Sequence, residues 1–87
     1  MKFSVGWDEN ATHDIDLGWN AAHPELREGI AAALEVIEQL LRDHPLEVGE
    51  SRGEEVVRVV IKPPLTVHFR VIASSRFVRV FAARVFR

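Results

Sequence analysis

The chain contains no cysteine and no tyrosine, a single methionine, and only four prolines and five glycines in 87 residues. Without cysteine there is no disulfide framework and no thiolate metal site, so a secreted mini-protein stapled by bridges is excluded. No charge-free run approaches the ~20 residues of a membrane span. The opening Met-Lys-Phe-Ser-Val-Gly-Trp-Asp lacks the apolar core of a signal peptide. A soluble, cytoplasmic protein with no membrane association is the expectation. His13, His23, His44 and His68 show no i, i+4 pairing and no His-Glu-x-x-His motif, so neither a metal nor another cofactor is expected. Gly49-Glu50-Ser51-Arg52-Gly53 has the spacing of a nucleophile elbow, but it lies between a helix pattern and a strand pattern. The elbow needs the reverse order, and this stretch reads as turn chemistry.

What is present is a chain of 9.9 kDa with 47% hydrophobic and 28% charged residues, enough for one small domain spanning 1–87. A domain this short buries roughly 60–65% of its unfolded surface and gains stability from a partner. The net charge of −2 conceals a partition: all 13 acids lie between Asp8 and Glu55, with only Arg27, Arg42 and Arg52 among them and Lys2 before them. From Val56 onward there are seven cations and no acid. Such asymmetry marks either a surface for nucleic acid or an acidic partner, or a basic sheet neutralised internally by acidic helices.

The periodicity gives the order of elements. Phe3, Val5 and Trp7 alternate with Lys2, Ser4 and Gly6 as in a half-buried strand. Asp8 or Asn10 can cap a helix carrying Ala11, Ile15, Gly18 or Trp19, and Ala22 on one face. Gly18 weakens that helix and lets another element approach closely. Leu26, Ile30, Leu34, Ile37 and Leu41 form the strongest stripe, on a second helix from Pro24 to about Arg42 that Pro45 stops. Glu38 and Arg42 are spaced for an i, i+4 pair, and the remaining helix acids suit solvated faces. Leu46 to Gly53 reads as a loop. Strand patterns then run through Val56–Ile61, Leu65–Ile72 and Arg76–Val85, separated by Pro63-Pro64 and by Ala73-Ser74-Ser75. The class is α+β, in the order β-α-α-β-β-β, with two helices packed on one face of a small antiparallel sheet.

Two helices cover one face only. With Val57, Val59, Ile61, Leu65, Val67, Phe69 and Val71 turned to the helices, the open face receives Arg58, Lys62, Thr66, His68 and Arg70. On the last strand, Val78, Val80 and Ala82 inward places Phe77, Arg79 and Phe81 outward. Both faces of that strand are apolar enough to be buried, which suits a central strand or one covered by a partner. The open face then mixes cations, which attract phosphate, with phenyl rings on which unpaired bases stack.

The stretches LLRDHPLEVGESRG, PPLTVHFRV and RFVRVFAARVFR, with Trp7 closing the first strand and Asp43-His44-Pro45 ending the second helix, resemble a known family. They are similar to the small toxins of type II toxin–antitoxin systems, the RelE/ParE superfamily, over essentially the whole chain. The resemblance implies a compact toxin neutralised by a cognate antitoxin. RelE-like members cleave mRNA on the ribosome without a metal, whereas ParE-like members act on DNA gyrase. A nuclease must activate a ribose 2′-OH, stabilise a pentacovalent phosphate and protonate the leaving oxygen. Here that role falls to His68, Arg79 and Arg84, with Arg58, Lys62, Arg70 and Arg87 as target-binding cations.

His68 is the one histidine on the sheet and the group there suited to proton transfer near neutral pH; the alternative is a half-exposed strand residue without a role. The sequence departs from the nuclease pattern in three places. Thr66 stands where nuclease members commonly carry Arg, tyrosine is missing, and the chain stops at Arg87 where they often continue. Either Arg84 or Arg87 occupies the position of the family's C-terminal Arg. A non-toxic nucleic-acid-binding module and an orphan member that pairs with itself are the competing readings.

Overall fold

The structure, a computed structural model, describes residues 2–47, 50–52 and 54–86. Strand β1 (Ser4–Trp7) leads into helices α1 (Glu9–Ala21) and α2 (Pro24–Asp43). Strands β2 (Glu50–Arg52), β3 (Glu54–Lys62), β4 (Leu65–Ile72) and β5 (Phe77–Val85) follow, with one 3-10 turn at Ala73–Ser75 before the last. They form one sheet in the order β1-β5-β4-β3-β2.

The sheet is mixed. β1 lies parallel to β5, with Val5 beside Val78 and Trp7 beside Val80, because the two-helix crossover returns the chain to the same end. The remaining pairs are antiparallel, as short connections require. The stretch read as a loop contains a fifth strand: Glu50–Arg52 pairs with β3 at the sheet edge. Three polar residues carry no hydrophobic alternation, so pairing rather than pattern makes this strand. Gly49 and Gly53 lie outside the described residues.

The helices form as their sequences dictate. Pro24 occupies the first turn of α2 beside Glu25, and the His23 ring nitrogen Nδ1 accepts the Leu26 N–H at 3.4 Å. The expected stripe faces the sheet, with Ile30, Ile37 and Leu41 wholly buried and Leu26 and Leu34 packed beside them. Arg27 ties the helices together: its Nε donates to the Trp19 carbonyl at 2.9 Å and its guanidinium lies 5.4 Å from the Trp19 ring. Elsewhere α1 and α2 part around a groove of about 530 Å³ lined by Trp7, Thr12, Ile15 and Leu34 and rimmed by Asp16, Glu35 and Glu38.

Leu65, Val67, Phe69 and Val71 of β4 and Val78 and Val80 of β5 are buried against the helices, as their alternation predicts. Two expectations are corrected by register. The connection between β3 and β4 has only two residues, Pro63-Pro64, so Lys62 stands opposite Leu65, Val60 opposite Val67 and Arg58 opposite Phe69. Directly opposed residues share a face. Arg58, Val60 and Lys62 therefore lie on the helix side, while Val57, Val59 and Ile61 join the open side. Ile61 is 57% exposed there. On β5 the register shifts between His68 and Phe69, so that Val80 pairs with Phe69 and Ala82 with His68, leaving Phe81 as an extra residue. The bulge reverses the phase beyond it: Ala83, not Ala82, is the buried alanine.

Candidate nucleic-acid interface

The open face is built from the outward residues of β4 and β5. Thr66, His68, Arg70 and Ile72 stand opposite Arg84, Ala82, Arg79 and Phe77. Phe77 lies across β1, where a Cβ on Gly6 would come within 2.6 Å of the ring Cζ. Glycine at position 6 is thus what lets the aromatic ring come this close to β1. Phe81, displaced by the bulge, sits beside His68 with ring centroids 6.2 Å apart and planes inclined by 47°. Asn10 Nδ2 donates to the Phe81 carbonyl at 2.7 Å, which ties the bulge to the start of α1.

Arg70 and Arg79 are direct cross-strand neighbours. Like charges so placed repel, and the arrangement needs a compensating anion. One is supplied from within: Arg79 Nε donates to Asp8 Oδ1 at 2.7 Å. That hydrogen bond, together with the attraction of the Asp8 charge, raises the Arg79 pKa above its ordinary value. Asp8, Arg70, Ile72, Arg79 and Phe81 enclose a hollow of about 440 Å³. Arg70 carries no ion pair among the described residues.

The seven cationic and histidine candidates divide. Arg70, Arg79 and His68 share the open face, and Arg84 extends it opposite Thr66. Beyond Trp7, β1 no longer flanks β5. Arg84 accordingly stands at an open margin, and it also borders a hollow with Asp14, Leu17 and Gly18 of α1. At roughly 3.4 Å of rise per residue, Arg79, His68 and Arg84 are strung over roughly 14 Å along the strands rather than gathered at one point. Arg58 and Lys62 belong to the opposite side, because the two-residue turn fixes their phase. Arg87 lies outside the described residues. The His68 side chain makes no hydrogen bond to another described residue. Its ring neighbour is Phe81.

Sequence reasoning read Asp8 as a helix cap and missed its place here. The signal that identifies it is the parallel β1–β5 register, in which Gly6 lies beside Arg79 and Asp8 follows Trp7 at the strand end. Among the described residues no group of three potential metal ligands exists, and no helix is long and apolar enough to cross a membrane. Chemically, the face offers paired guanidiniums for an oxyanion and two phenyl rings for stacking. Among the described residues it brings no second proton-transfer group beside His68.

No protein-family model matches the chain, and no curated protein matches it by sequence. Solved structures do. The chain is similar to one in the RelBE2 toxin–antitoxin complex of Mycobacterium tuberculosis, with 18% identity over 98% of this chain and 99% of that one and a TM-score of 0.75. It is similar to a chain of the chromosomal ParDE system of P. aeruginosa, with 17% identity over 98% and 97% and a TM-score of 0.72. The isolated E. coli RelE toxin matches at 16% identity over 98% of this chain and 85% of that one, with a TM-score of 0.66. The fold is that of RelE/ParE-type toxins.

Proposed function

We propose that this protein is the toxin of a type II toxin–antitoxin pair, neutralised by a cognate antitoxin, and that its working surface is the open sheet face. The observation that carries the reading is the Arg70–Arg79 pair between Phe77 and Phe81, on a fold shared with RelE. Paired cations with flanking aromatics suit an unpaired stretch of RNA, which points to the translation apparatus and its mRNA. In that setting Arg70 and Arg79 hold the phosphate, Arg84 supports the chain further along, and His68 is the candidate for proton transfer. DNA gyrase is the second reading, favoured by the spread of His68, Arg79 and Arg84 and by Thr66 standing where nuclease members carry Arg.

Inducible expression with and without the neighbouring antitoxin frame tests the first claim: growth arrest that the neighbour relieves is expected. A translation-coupled mRNA cleavage assay then separates the targets. If mRNA is cut, His68→Ala and Arg79→Ala are expected to lower the rate by tenfold or more, within the usual range for groups of this kind. Arg84→Ala is expected to have a smaller effect. Arrest without cuts would move the target to gyrase, to be read out by supercoiling activity.

A further inference from the structure

Asp8 occupies the N-cap position of α1 with extended backbone angles (φ −67°, ψ 152°), yet its side chain makes no capping hydrogen bond. An aspartate there ordinarily accepts an N–H of the first turn. Its carboxylate instead binds Arg79 Nε on the open face. The hollow therefore contains two guanidiniums and one carboxylate, a net charge of +1. The internal pair engages one of the five donors of Arg79. We infer that Asp8 is a specificity-determining residue: by occupying Arg79 it restricts the hollow to a singly charged oxyanion, the internal phosphodiester of single-stranded RNA, and excludes a doubly charged terminal phosphate.

The charge balance supplies the reason. A phosphodiester carries one negative charge and neutralises the hollow. A terminal phosphomonoester carries about −1.5 to −2 near neutral pH and brings excess charge against Asp8. The restriction has a cost in affinity, because an arriving phosphate must share Arg79 with a carboxylate already in place. For a pair exposed as this one is, with 58% of the Arg79 side chain and 24% of the Asp8 side chain accessible, that cost is a factor of about two to five. The choice of RNA as ligand rests on the function proposed above. The competition between Asp8 and an oxyanion does not.

The test compares wild type with Asp8→Asn, which retains a good capping residue. The probe is hexauridylate labelled at its 3′ end, with or without a 5′-phosphate, read by fluorescence anisotropy. Expected for wild type is equal affinity for the two oligomers. Expected for Asp8→Asn is about threefold tighter binding of the unphosphorylated oligomer and a further gain from the 5′-phosphate. The slope of log K against log salt should steepen by about 0.7, the value for one more neutralised phosphate on a single strand. Unchanged affinity in Asp8→Asn, or a wild type that already prefers the 5′-phosphate, overturns the inference and leaves the toxin reading standing. A second arm titrates inorganic phosphate and follows the Arg79 Nε–H resonance. If wild type binds no RNA, the ligand named in Proposed function is wrong and this arm decides the role of Asp8. Tighter phosphate binding by Asp8→Asn upholds the competition, and equal binding overturns it.

Discussion

Asp43, the last residue of α2, shows how one carboxylate couples the N-terminal segment to pH. The Gln39 side-chain amide donates to its Oδ2, and Lys2 Nζ stands 3.4 Å from its Oδ1. The Gln39 hydrogen bond holds the Asp43 pKa below the usual carboxylate value, outweighing desolvation, the next effect in size, with smaller help from the Lys2 charge. The folded chain thus binds this proton at lower pH than the unfolded chain, for which about 3.9 is typical. Its contribution to stability is complete above that value and disappears as pH falls through the folded pKa. Asp43→Asn is therefore expected to flatten the acid limb of the urea midpoint below about pH 4 while leaving the profile near neutrality nearly parallel to wild type. Because the contacts are at the surface, the difference should shrink in high salt. A variant whose midpoint falls as steeply as wild type below that pH would remove Asp43 from the account.

The packing of α1 on β5 rests on Gly18. A Cβ there would lie 2.4 Å from Val85 Cγ2 and 2.5 Å from Val85 Cβ, so the helix itself would have to move. Alanine gains up to about 1 kcal/mol of helix propensity over glycine, and overpacking costs about 1–3 kcal/mol. Gly18→Ala is expected to destabilise the fold by about 1–2 kcal/mol in chemical denaturation, with Val85→Ala in the same chain recovering part of the loss. A stabilised Gly18→Ala would show that β5 yields to the helix. The close approach was legible in the sequence as a glycine on an apolar helix face, and so was the α2 stripe, whose period of 3.6 has no competing interpretation. The phase of β3 was not. Val57, Val59 and Ile61 make the more apolar alternation, but the two-residue Pro63-Pro64 turn places Lys62 opposite Leu65 and turns Arg58, Val60 and Lys62 to the helix side. Turn length outweighs hydrophobic pattern at this position. The Phe81 bulge leaves no sequence mark, because Val80, Phe81, Ala82 and Ala83 read equally well in either phase.

The whole chain is electrically divided, and the fold converts a division along the sequence into one across the sheet. The acids of residues 8–43 ride mainly on the helices, while Arg70, Arg79 and Arg84 come from β4 and β5. The sequence already contained this partition, and with it the central part of the candidate site. It put Arg58 and Lys62 on the open face, which the β3–β4 register overturns, and it could not bring Asp8 to Arg79, because that requires β1 to pair in parallel with the last strand. A net charge of −2 should therefore not prevent binding to a polyanion, since at physiological salt charges separated by more than about 8 Å are largely screened from one another. Binding to hexauridylate is expected to weaken with salt along a log–log slope of about −1.4, as the net single charge of the Asp8–Arg70–Arg79 hollow and Arg84 meeting two single-stranded phosphates would give. Arg70→Ala is expected to reduce that slope by about 0.7. Lys62→Ala should leave it unchanged, although a hydrophobic-pattern reading places Lys62 on the binding face. Equal losses from both variants would mean that RNA runs around the sheet edge onto β3. A salt-independent affinity would mean that the guanidiniums are not what the nucleic acid touches.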